Sequence, residues 1–292
     1  MPDRFARLRL IQRLDPNNDC EEIFRLVTDY EFPWDYWQSA SLAFFRTFGV
    51  PSIAELLHRT GEITTHTQKR ADDTLLMLYE ITHHGLENEH ARAFLRRMNR
   101  MHQHYSISND DHRYILALYI VVPVRWIDRY GWRRLTDHER QAMTAVGRRL
   151  GELMGIKNLP HTFDEFSRFA DDYEARLFAC TEDSRQLASA AMDIAADVLP
   201  RRLRRPMRAL MQRFSLALLD EEVLRVVGLP LPSQRDRRIA ETVLRFRAVL
   251  LRRFPPRSNG RPYHPAPATY PCGYRVEDLG PDWLDALERG GR

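Results

Sequence analysis

Residues 94–122 read FLRRMNRMHQHYSISNDDHRYILALYIVV, and their apolar positions recur at steps of three and four. That is the period of an amphipathic helix, and strand-like alternation is absent. Ser106 to Asn109 interrupts the pattern, so the stretch is two helices, the second opened by Asn109-Asp110. The same period extends outward to Trp34–Phe48 and Leu75–Ile81. Further along, Thr136-Asp-His-Glu139 is a capping box before a helix running to Met154, and Thr162-Phe-Asp-Glu165 is another. Helices are also predicted over Ser184–Val198, Asp220–Val227 and Ser233–Phe254. From Pro255 to Pro271 proline dominates, which predicts an extended tail over the surface, before a short helix near Trp283. The chain therefore reads as all-α. It is a single globular multi-helix domain with a helical arm over 1–46, a helical body over 47–254 and a Pro-rich C-terminal wrap over 255–292.

Composition narrows the partners. With 43% hydrophobic and 29% charged residues, the 292-residue chain has the balance of a water-soluble globular protein. The net charge is +4, but Lys69 and Lys157 are the only lysines and the arginines are dispersed among Asp and Glu, which argues against a nucleic-acid-binding stripe. Cys20, Cys180 and Cys272 form no CxxC pair and suit a reducing cytoplasm, so cytoplasmic localisation is expected. The N-terminus MPDRFARLRL is charged where a signal peptide needs an apolar core, and no stretch reaches the roughly 20 apolar residues of a membrane span. The cluster RRLRRPMRALMQRF, 201–214, is a candidate weak membrane-surface contact. No feature sets an oligomeric state.

The chemistry-bearing residues concentrate between Thr65 and Arg113, on two helices that meet at His83-His84-Gly85. Arg70, Asp73 and Thr74 share one face of the first helix, followed by Met77 and Leu78. On the second, His102 lies four residues after Met98 and three before Tyr105, which turns its ring inward from the apolar stripe, with Arg96, Arg97 and Arg100 around it. A buried neutral imidazole can ligate iron, or it can be a core histidine satisfied by hydrogen bonds. The Arg70, Asp73 and Thr74 trio can likewise be an intrahelical ion pair with a back-bonded hydroxyl. No HExxH, paired ExxH, glycine-rich phosphate loop or GxSxG elbow is present.

The run from Arg96 to Arg140, RRMNRMHQHYSISNDDHRYILALYIVVPVRWIDRYGWRRLTDHER, continuing to GELMGIKNLP at 151–160, resembles the MpaB-type oxygenase family, which includes the rubber oxygenases. The likeness extends over about Thr47 to Pro232, and its core is MH..Y.ISNDD..Y.LA. It implies haem b with His102 as the iron ligand, and a distal arginine and threonine that fall on Arg70 and Thr74. Asp73 stands where the rubber enzymes carry lysine, so rubber itself is not the expected substrate. The implied activity is oxygenation of a small apolar molecule, alkene- or prenyl-containing, by O2, with Asp73 tuning protons. Phe44, Phe45, Met77 and Trp126 are candidates for the substrate cleft, and Arg97, Arg100 and Arg125 for the haem propionates. A haem-free binding or structural member of the family and a peripheral lipid-binding protein are the alternatives.

Overall fold

The computed structural model describes residues 3–194 and 201–284, and among these every regular element is a helix. In chain order they are α1 Ala6–Ile11, α2 Cys20–Leu26, a π-helical turn Val27–Glu31, α3 Pro33–Thr47, α4 Pro51–Thr60 and α5 Glu62–Thr65. The hairpin α6 Thr67–His83 and α7 Glu89–Gln103 follows, then α8 Asn109–Tyr130, α9 Asp137–Leu153 and α10 Phe163–Leu177. The series continues with α11 Glu182–Asp193, α12 Arg201–Leu218, α13 Glu221–Val226 and α14 Gln234–Arg253, and ends on a 3-10 turn at Val276–Asp278. The end of the helix expected over Ser184–Val198 lies outside the described residues.

Local chemistry sets most of these boundaries. Ser108, Thr136, Thr162, Thr181 and Ser233 each accept a hydrogen bond from the backbone N–H three residues on, capping α8, α9, α10, α11 and α14. Thr136 and Glu139 complete the reciprocal box. At Thr162 the box is incomplete, because the Glu165 carboxylate reaches past the cap to the His161 N–H, 2.7 Å away.

The central helix is α8, which packs against α3, α9 and α10. Its Tyr114, Ala117, Leu118, Val121 and Ile127 are all buried. The first 46 residues contribute Ile11, Cys20, Phe24 and Tyr36 to the largest core cluster. A network of charges ties this segment inward: Glu31 receives Arg7 at 2.8 Å, and Arg133 spans Glu31 and Glu139 at 3.5 and 2.7 Å. Buried acids of this kind are tolerated because each is paired.

The C-terminal wrap is extended, as its prolines require. It is sewn down by polar contacts: the Tyr263 N–H donates to the Asp29 carbonyl at 2.9 Å, the Thr269 N–H and hydroxyl to Asp72 at 2.8 and 2.6 Å, and Tyr270 to Asp73 at 2.6 Å. Among the described residues no single helix is long and apolar enough to cross a membrane.

Candidate functional site

Gly85, with φ +86°, makes the left-handed turn that reverses α6 into α7, and the Asn88 side chain caps α7 by accepting from the His90 N–H at 2.9 Å. Antiparallel pairing brings the first turns of α6 beside the last turn of α7. Arg70 and His102 therefore share one end of the hairpin. The chain then turns through Tyr105 to Ser108, and α8 returns His112 to the same end, where its ring meets that of His102 edge to face with centroids 5.2 Å apart.

His102 keeps some solvent exposure as a residue, but its Nδ1 is sealed and has no hydrogen-bond partner among the described residues. A buried unpaired polar nitrogen is costly, typically about 1–3 kcal/mol, and calls for a reason. Desolvation, then His112 and the Arg70 charge, push its pKa down from 6.5 to about 4. The imidazole is thus neutral at physiological pH and holds a free lone pair. His112 is shifted the same way, chiefly by burial.

Arg70 is positioned by its own helix. Its guanidinium donates to the Thr74 hydroxyl, and that hydroxyl donates to the Arg70 carbonyl at 2.8 Å, which pins the cation one turn away. The Arg70 charge acts on both His102 and Tyr119 of α8. Tyr119 in turn lines a narrow, largely apolar cavity of about 20 Å³ where α6, α8 and α9 meet α2 and α3, together with Leu78, Thr82, Leu116, Ile120 and Leu150. Burial raises the Tyr119 pKa, so the phenol remains a proton donor. Gly147 completes the wall; a Cβ there would collide with the Ile120 side chain, so α8 and α9 approach this closely only because the position is glycine.

Other sequence-predicted site residues go elsewhere. Asp73 is buried with its carboxylate fully engaged by Lys69 at 2.8 Å, Tyr270 at 2.6 Å and the Gly280 N–H at 2.9 Å, so it anchors the wrap and has no oxygen to spare for a proton relay. Arg97 also faces the wrap, donating to the carbonyls of Leu279 and Glu277 at 2.6 and 2.7 Å. Arg125 is exposed and paired through both terminal nitrogens with Asp171 of α10, at 2.8 and 2.6 Å. Arg100 is exposed near His102 on α7. The four proposed cleft residues do not gather. Phe44 and Phe45 pack on Phe48, Trp126 donates to Asp35 at 3.3 Å, and Met77 belongs to a separate core cluster; none lines the cavity.

His112 and Tyr119 were not singled out by the sequence reading, although both follow the N-cap of α8 at positions that a helical projection places on the His102 side. A second group also emerges at the far end of the hairpin. Glu80 Oε2 lies 2.7 Å from His90 Nε2 and 3.1 Å from His84 Nε2, and the three potential ligand atoms lie within 4.8 Å of one another. Tyr274 donates to the other Glu80 oxygen. Two imidazoles and one carboxylate are a set that non-haem iron accepts.

The chain is thus an all-helical protein with a neutral imidazole whose buried Nδ1 has no partner among the described residues, near an arginine pinned by its own helix. Comparison makes the class definite: residues 38–252 match the family described as "ER-bound oxygenase mpaB/B'/Rubber oxygenase, catalytic domain", and the chain belongs to it. It is 28% identical over 257 residues to the ER-bound oxygenase mpaB' of Penicillium brevicompactum, covering 81% of this chain and 60% of that protein. It is 29% identical over 227 residues to the ER-bound oxygenase mpaB of Penicillium roqueforti strain FM164, covering 68% and 76%. The chain thus spans about three-fifths of the length of the mpaB' relative.

Proposed function

We propose that this chain is a haem b-dependent oxygenase with His102 as the iron ligand, acting with O2 on a small apolar molecule of alkene or prenyl type. The observation that carries the reading is the sealed Nδ1 of His102, a neutral donor with no partner among the described residues. Family membership supports the oxygenase activity. The three cysteines are free thiols, which suits a reducing cytoplasm.

When bound, haem supplies the iron at which O2 is activated. His102 offers it a nitrogen that no proton occupies at neutral pH. Arg70, pinned by Thr74, would hold a fixed positive charge near His102, which would favour negative charge at a bound haem. Tyr119, kept protonated by burial, is a second donor that feels the Arg70 charge. Asp73, Arg97 and Arg125 take no part in this reading, because their partners are protein groups.

The test is oxygen uptake with a panel of prenyl-bearing compounds on haem-reconstituted protein. Uptake that depends on the compound and falls at least tenfold in Arg70→Ala supports the reading; no uptake with any alkene in haem-loaded protein contradicts it.

The Glu80, His84 and His90 group favours a second reading, non-haem iron chemistry. The two histidine side chains are 40% and 51% exposed, so water reaches that site freely and an apolar substrate gains little there. His102 is the better candidate for this reason.

A further inference from the structure

The last long helix presents an unpartnered apolar face. Ile239, Val243, Phe246, Leu250 and Phe254 recur along α14 and just beyond it at steps of three and four, and they are 50%, 49%, 64%, 38% and 58% exposed. At 1.5 Å per residue the stripe is roughly 22 Å long. Surface apolar residues are ordinary when scattered, but a continuous row of large ones on one helix marks a contact surface. The opposite side of the helix is fixed to the body: Ala240 and Leu244 are buried, and Arg247 grips Asp35 of α3 through two bonds of 2.9 and 3.1 Å. The stripe therefore faces outward by construction.

Its flank is basic. Arg238, Arg245 and Arg252 recur every seven residues in one row more than a third of a turn round the helix from the middle of the stripe, with Arg235 and Arg253 between the two near its ends. All five are exposed, and none is ion-paired among the described residues. The acids of α14 do not neutralise them, since Asp236 is taken by Arg213 at 2.6 Å and Glu241 by Arg129. Arg235, Arg238, Ile239, Thr242 and Val243 enclose a shallow groove where the basic row meets the stripe.

We propose that α14 docks this protein on an anionic lipid surface, the stripe entering the acyl boundary and the arginine row meeting the headgroup phosphates. The pairing of a long apolar row with an uncompensated cationic flank is what an interfacial helix needs. The sequence pointed to the neighbouring basic segment, 201–214, for membrane contact; on that helix Leu210 is 55% exposed and adds to the same side of the molecule only if α12 shares the docking plane, whereas α14 carries a full stripe. The inference does not depend on the reading of His102.

Vesicle sedimentation of the full-length protein tests it, with phosphatidylcholine vesicles containing one-quarter phosphatidylglycerol beside pure phosphatidylcholine. The protein pellets with the anionic vesicles, and added salt weakens binding. Phe246→Glu reduces binding at least tenfold, and the triple variant Arg238→Gln, Arg245→Gln, Arg252→Gln reduces it roughly a hundredfold. Both leave the circular dichroism spectrum and melting temperature unchanged, because the altered side chains are exposed. The proposal is overturned by absence of pelleting with anionic vesicles, by equal binding to the neutral ones, or by variants that bind as well as the parent. It is also overturned if sedimentation velocity shows a stable dimer that Phe246→Glu dissociates while neither vesicle is bound.

Discussion

Tyr270 of the C-terminal wrap donates its hydroxyl to Asp73 of α6 across 197 residues of sequence, at 2.6 Å. The same carboxylate binds Lys69 and the Gly280 N–H, so one buried acid fastens the wrap to the helical hairpin. Asp73→Asn removes the charge that all three donors address. The expected cost is about 2–4 kcal/mol, read as a lower midpoint in urea unfolding. Asp73→Lys, which restores the residue the rubber enzymes carry, sets two ammonium groups together and destabilises further. A haem content unchanged in Asp73→Asn, when the protein is folded, separates this structural role from a catalytic one.

Arg97 makes the matching contact from α7. Its buried guanidinium holds the carbonyls of Leu279 and Glu277, and Arg97→Ala leaves both without that donor. The wrap then loosens, and limited proteolysis cuts residues 255–284 faster than in the parent protein by about tenfold. Equal cleavage rates would show that the wrap is held by its other bonds alone.

Protonation of His102 sets a pH dependence in the haem-free protein. Its folded-state pKa, about 4, lies below the ordinary 6.5, so the unfolded chain binds the proton more readily. Stability therefore falls as pH drops from about 6.5 towards 4, by at most about 3 kcal/mol from this group. His102→Gln removes that share, and the difference between the two unfolding curves should shrink as pH falls. A constant difference across the window would show a histidine open to solvent.

The two metal-capable groups are separable by substitution. His84→Ala with His90→Ala removes two of the three ligands near Glu80, roughly 18 Å along α7 from His102. The double variant should keep its full haem absorbance and oxygen uptake. Loss of uptake with the haem spectrum intact would move the chemistry to the far end of the hairpin.

The helices were legible because their signals are local. A serine or threonine cap, an apolar period and a glycine stop lie within a few residues of each boundary, as at Thr136-Glu139 and Ser233, and the inward turn of His102 follows from the same period. Partnerships across the chain were not. Asp73 has Arg70 and Thr74 as its neighbours in sequence, which suggests a proton relay, while two of the groups that bind it arrive from residues 270 and 280. Arg125 pairs with Asp171, 46 positions away, and the cleft residues chosen for their size pack into separate parts of the core. Tyr119 was hidden for a related reason, since a tyrosine inside an apolar helix carries no local mark of the arginine that a neighbouring helix brings to it.

The ultraviolet-visible spectrum of protein expressed with excess haem, before and after dithionite, tests the central claim most directly. The account predicts a Soret band that shifts on reduction and is lost or strongly weakened in His102→Ala, while Arg125→Ala leaves it in place. A colourless parent protein, or a His102→Ala spectrum identical to the parent's, would contradict it.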